Sequence, residues 1–257
     1  MTRRELFASV FLVALLVGCE PPPTARLLVV APATQSVAVP RAFLLHIPGV
    51  SGESDVDHTL IEGFREGRLD ADMEIYDWTE HDTGVPALQA IGRNKKQAIK
   101  IAEKLTAKFR ADPRIAIYLT CHSGGAGPAA WAMEALPPDV KLRRVIFLAP
   151  ALSPGYDLSR ALGHVRDKAY DFYSVHDKVI LSIGTRMFGT IDGVYSDAAG
   201  CVGFKVPPKA DATQYAKLVQ VSYDPSWLIY GHDGDHIGPM ATPFARAVLV
   251  PLLEGKP

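Results

Sequence analysis

Cysteine is scarce in this chain of 257 residues: Cys19, Cys121 and Cys201 allow at most one internal disulfide. A fold stapled by many bridges is excluded, and the length suits one medium α/β domain with a sizeable core. Neither sign of charge prevails. Lysine and arginine number 27 against 28 acidic residues, for a net charge of −1. No domain-sized basic patch appears, which argues against nucleic acid as a partner. The apolar run Leu6–Val17 is too short to span a bilayer comfortably. No internal repeat or low-complexity segment is present, so a stacked array is excluded as well.

What is present centres on residues 115–127, reading IAIYLTCHSGGAG. The β-branched and aromatic run Ile115–Thr120 predicts a buried strand, and the small-residue stretch Ala126–Leu136 predicts a helix. Between them lies Cys121-His122-Ser123-Gly124-Gly125. A strand, a tight turn carrying a serine and a helix lift that hydroxyl off the sheet toward the helix N-terminus.

Elsewhere strands are expected at Ala42–Ile47, Met73–Trp78, Arg144–Leu148, Ala169–Val175, Lys217–Tyr223 and Trp227–Tyr230. Helices are expected at Asp55–Gly67, Leu88–Arg110 and Thr242–Leu253. Leu27–Val30 and Val37–Val39 read as an edge hairpin or as one strand with its linker. Strands alternating with helices imply an α/β fold, a mostly parallel central sheet covered on both faces. Gly184–Pro208 is long for a plain loop, with Met187, Phe188, Tyr195 and Phe204 scattered along it. Such segments are often lids or binding elements.

The N-terminus is different in kind. Arg3 and Arg4 precede the apolar run as in an export signal. The run ends in Leu16-Val17-Gly18-Cys19, which resembles the lipobox of bacterial lipoproteins. That resemblance implies a signal peptide at 1–18, acylation of Cys19 and stable membrane attachment through its lipid. An ordinary cleaved signal and an uncleaved anchor helix are the alternatives. Residues 19–40 then hold the lipidated Cys, a proline-stiffened tether and the possible edge strands, and 41–257 the folded domain. The implied location is the bacterial cell envelope, with Glu20 favouring the outer membrane by analogy. Cys121 and Cys201 remain, either bridged in an oxidising compartment or as two separate buried thiols.

The turn at Ser123 resembles the nucleophile elbow of the α/β-hydrolase family, G-x-S-x-G, with Cys121 replacing the first glycine. In that family an acid and then a histidine follow the serine along the chain. A hydroxyl is a weak nucleophile until a histidine takes its proton and a carboxylate orients that histidine. Asp177, just past a strand, is the implied acid, ahead of Asp171 and Asp167; its other reading is a helix N-cap for Lys178–Ile183. Gly231–Gly238 offers two bases, His236 first and His232 in reserve. The oxyanion hole falls to the N–H groups of Gly124 and Val50, the latter in Pro48–Gly52, which resembles the family's H-G-x-x-G.

The resemblance spans roughly Ala42 to the C-terminus and implies an ester-cleaving serine hydrolase that needs no cofactor and no metal. Its substrate would be a small-molecule or lipid ester. Two other readings stand beside it. His232-Asp233-Gly234-Asp235-His236 offers metal ligands for a metal-dependent hydrolase, though a catalytic zinc generally needs three. The scaffold also suits a non-catalytic, lipid-anchored binding module.

Overall fold

Alternate side chains of a strand point to opposite faces, so a strand that is apolar at every position must be covered on both. Two segments come nearest to that condition, interrupted only by His46 in one and by Thr120 and His122 in the other. Ala42–Ile47 (β1) and Ala116–His122 (β3) are buried at every residue. In a computed structural model, which describes residues 42–256, they pair in parallel at the centre of a sheet. Ala71–Ile75 (β2), Leu142–Leu148 (β4), Val165–Tyr173 (β5) and Leu218–Ser222 (β6) complete it in the order β2-β1-β3-β4-β5-β6, all parallel. The edge strands β2 and β6 are only partly buried, which explains their mixed composition.

Each parallel pair needs a crossover, and these place helices on both faces. Phe43, Leu45 and Ile47 of β1 meet the helices Ile91–Ala111 (α3) and Ala126–Ala135 (α4) through Ile101, Leu105, Ala129 and Ala130. Leu44 faces the opposite way, toward Leu60 and Phe64 of Asp55–Glu66 (α1) and Phe244 and Leu249 of the C-terminal helical run. The α/β-hydrolase fold expected from the sequence is the fold observed: a parallel sheet layered between helices, with a serine turn between β3 and α4. No helix among the described residues is long and apolar enough to cross a membrane.

Several strand bounds shift, β2 ending at Ile75 where the sequence reading runs to Trp78, and three expected elements differ in kind or continuity. Trp227–Tyr230 is not a strand but part of a 3₁₀ turn, Pro225–Tyr230. Asp224 caps it by accepting from the Ser226 N–H at 2.8 Å, and Pro225 has no N–H to give a ladder. The long helix is split into Val85–Gln89 (α2) and α3 at Ala90, where the buried Asn94 amide donates to the Ala87 carbonyl at 2.8 Å. The last helix widens to π geometry over Ala245–Leu249, just ahead of Pro251, which cannot supply the bond back to Ala247. Cys121 and Cys201 are separate buried thiols. Cys19, the signal at 1–18, the tether at 19–40 and its possible strands lie outside the described residues.

Candidate active site

The carboxyl ends of β1, β3, β5 and β6 lie along one rim, and the candidate residues come from the loops that follow them. At the end of β3 the chain reverses so sharply that Ser123 takes φ 51°, a left-handed conformation that side chains rarely adopt. Such backbone strain costs about 1–3 kcal/mol and persists only where the surroundings impose it. Two glycines permit the turn. A Cβ on Gly124 would collide with the Val50 side chain, and one on Gly125 with the carbonyl of Pro48. Cys121, standing where the family pattern has glycine, is accommodated because its side chain points into the core, its Sγ 3.8 Å from the Ile146 carbonyl.

Ser123, His236 and Asp177 come together across 113 and 59 residues of sequence. The Ser123 hydroxyl lies 2.8 Å from His236 Nε2, and His236 Nδ1 lies 2.5 Å from Asp177 Oδ2. An ionised carboxylate only accepts, so Nδ1 carries the proton and Nε2 is the lone pair facing the hydroxyl. The helix-cap reading of Asp177 does not hold, since the helical turn starts one residue later with Lys178 at the cap position and no side-chain cap bond. The other Asp177 oxygen accepts instead from the Leu181 N–H at 3.3 Å, further into the turn. Of the alternative acids, Asp167 pairs with Arg143 and Arg144. Asp171 is buried within β5, and neither of its oxygens has a partner. Burial pushes its carboxyl well above the ordinary range.

The reserve base, His232, does not reach the serine. It is buried among Trp227, Tyr223 and Phe244, stacked on the first with ring centroids 5.6 Å apart. Its Nδ1 accepts from the Gly234 N–H at 3.2 Å. Burial pushes its pKa down to about 4, so it is neutral near pH 7. The neighbouring acids shape the loop. Asp235 accepts from the N–H groups of Ile237 and Gly238, and Asp233 from that of Asp235. Among the described residues no group of three or more His, Cys, Asp or Glu is placed to hold a metal ion.

Val50 and Gly124 adjoin, a Cβ on Gly124 falling 3.6 Å from the Val50 nitrogen. The Val50 carbonyl is held by the Gly84 N–H at 2.8 Å and the Pro48 carbonyl by the Trp78 indole at 2.8 Å. The Val50 N–H meets no acceptor among the described residues. A fixed donor left open beside a hydroxyl is what a developing oxyanion requires.

Two features have no signature in the sequence. His122, beside the serine, lies with its ring centroid 4.8 Å from that of His236 and donates through Nε2 to the His236 carbonyl at 2.9 Å. Burial, helped by the nearby His236, lowers its pKa to about 3. The second is a buried chain one layer below. Thr120 Oγ1 lies 2.9 Å from His46 Nδ1, and His46 Nε2 lies 2.9 Å from Asp57 Oδ1. Burial opposes ionisation of Asp57, but the hydrogen bonds from His46 and Ser54 hold its carboxyl below the ordinary range.

Two cavities open at Ser123. One, of about 380 Å³, is walled by Val85, Leu88, Val179, Ile183, Met187 and Phe188. The other, of about 190 Å³, is walled by Ser51, Ser54, His122, His236 and Ile237. The long segment Gly184–Pro208 thus divides in role. Met187 and Phe188 wall the larger cavity, Tyr195 is exposed, and Phe204 belongs to the core against Phe147.

No family model matches the chain, and no curated protein matches it either. Among solved structures it is similar to a predicted CIB-like hydrolase from Thermoplasma acidophilum, at 14% identity over 85% of this chain and 88% of that one, with a TM-score of 0.46. Aspergillus fumigatus lipase B is similar at 14% identity over 83% of this chain and 52% of its own, with a TM-score of 0.48. The esterase domain of a Rhodothermus marinus protein follows at 15% identity, 86% and 87% coverage and a TM-score of 0.42.

Proposed function

We propose that the protein is a serine hydrolase that cleaves an ester-like bond through an acyl-enzyme on Ser123. The observation that carries this reading is the continuous chain from the Ser123 hydroxyl through His236 to Asp177, with steps of 2.8 and 2.5 Å. Ser123 Oγ attacks the carbonyl carbon while His236 Nε2 takes its proton. Asp177 fixes the ring and stabilises the imidazolium. The N–H groups of Gly124 and Val50 receive the oxyanion, already in place before charge develops. His236 then passes its proton to the leaving oxygen. Water, activated by the same ring, releases the acid and restores the serine.

A fluorophosphonate probe followed by peptide mapping tests the reading directly. Modification at Ser123, lost in Ser123→Ala, is the expected result; a folded, unlabelled protein overturns it. We also propose, from the N-terminal sequence, that Cys19 is the lipidated first residue of a mature protein anchored in a bacterial cell envelope. Mass spectrometry of the mature chain tests that, and an N-terminus downstream of Cys19 refutes it.

A further inference from the structure

Ser123 stands between two cavities of different size, and only one of them contains His236. We infer that they divide the substrate: the 380 Å³ cavity takes a hydrocarbon acyl chain, and the 190 Å³ cavity takes a small alcohol leaving group. The inference rests on Ser123 as nucleophile. The general acid must reach the oxygen that departs, so the leaving group lies on the side walled by His236. The acyl substituent then extends to the opposite side of the tetrahedral carbon. That side is the cavity lined by Val85, Leu88, Val179, Ile183 and Met187, with no charged side chain.

The lining also fixes the chemistry of the chain it accepts. Apart from Ser123 itself, the one hydroxyl there is that of Thr185, which donates to the Leu181 carbonyl at 2.9 Å. A polar acyl group would leave water and find no hydrogen-bond partner among these side chains, which is costly. A hydrocarbon chain covers Val179, Ile183 and Met187, which are 72%, 59% and 63% exposed. Their apolar surface is the gain that such a substrate brings. The smaller cavity sets the Ser51 and Ser54 hydroxyls among Val50, Val56, Ile180 and Ile237, and its size leaves room only for a compact alcohol. The substrate class is an ester of a medium-chain aliphatic acid with a small alcohol.

The test varies one half of the ester at a time. From p-nitrophenyl acetate to octanoate, kcat/KM rises by up to about fourfold per methylene while the chain continues to be buried. A flat or falling series overturns the assignment. Ile183→Asp, at an exposed wall position, lowers the octanoate-to-acetate ratio by about tenfold. Ser51→Trp, on the opposite rim, lowers the benzyl-to-methyl ratio among octanoate esters by a similar factor. The reverse pattern, with each variant acting on the other half of the substrate, overturns the assignment too. Fluorophosphonate labelling separates the two levels of failure. A labelled Ser123 with no acyl-length preference sinks the division of the cavities alone, whereas an unlabelled Ser123 sinks the nucleophile and this inference with it.

Discussion

Two hydroxyl–imidazole–carboxylate chains run through this molecule, and their hydroxyls are three residues apart in sequence. Thr120–His46–Asp57 has steps of 2.9 and 2.9 Å; Ser123–His236–Asp177 has steps of 2.8 and 2.5 Å. The ring nitrogens are exchanged, Nε2 meeting the carboxylate in the first and Nδ1 in the second. Access separates them. His46 and Thr120 are wholly buried inside regular strands. Ser123 sits on a strained turn between two cavities, and the His236 side chain is 15% exposed. The composition of such a trio is therefore not enough to mark a site. The elbow that lifts one hydroxyl to the rim, and the open Val50 N–H beside it, make the difference.

The comparison is broken most sharply by removing the two hydroxyls in turn. Ser123→Ala is expected to lower ester turnover by about ten thousandfold or more without unfolding the protein. Thr120→Val is expected to keep turnover and to lose about 1–3 kcal/mol of stability in urea, because His46 Nδ1 is left unpartnered. The next effect is on the buried chain itself. Asp57→Ala is expected to cost about 3 kcal/mol, since it strips the partner from an enclosed imidazole and also the N–H of Ser54. Fluorophosphonate labelling of the folded fraction persists.

A smaller effect, of opposite sign, belongs to Asp171. Burial raises its pKa in the folded chain, so the fold favours the protonated acid. Stability is then greatest below the ordinary carboxylate pKa and falls as pH rises toward the raised value. Asp171→Asn is expected to flatten that fall and to add about 1–2 kcal/mol at pH 7, read from melting temperature against pH. An effect absent near pH 7, and developed only as the solution is acidified, comes from the two buried neutral histidines, His122 and His232, lowered to about 3 and about 4. The unfolded chain binds protons near the ordinary histidine pKa and the folded one does not, so stability is full above about pH 6.5 and declines below it. His232→Phe is expected to shrink the part of that decline above pH 4.

The central strands were readable because burial on both faces leaves a mostly apolar run, and β1 begins and ends where the sequence places it. Edges were harder. β5 starts at Val165 rather than Ala169, because Arg166, Asp167 and Lys168 lie on a part of the strand that solvent reaches. Trp227–Tyr230 misled through its short apolar run, when Asp224 and Pro225 carried the deciding local information. At the site, the order of serine, acid and histidine could be read along the chain. The choice between His236 and His232 could not, since both sit among glycines and acids. The aromatic enclosure of His232 comes partly from Phe244, twelve residues on, and the spacing of the loop says nothing of it. The pairing of His46 with Thr120 across 74 residues is similarly invisible before the sheet forms.

Asp177 grips two things at once: the imidazole through one oxygen and, through the other, the N–H of Leu181 in the turn that walls the larger cavity. A single carboxylate is thus the shared hinge-pin of the proposed base and of the surface to which we assign the acyl chain. Any guest that pushes Val179–Gly184 outward drags on the ring that must receive the proton, so a poorly fitting chain spoils chemistry as well as adhesion. Mismatched acyl lengths should consequently register in kcat, with KM comparatively still.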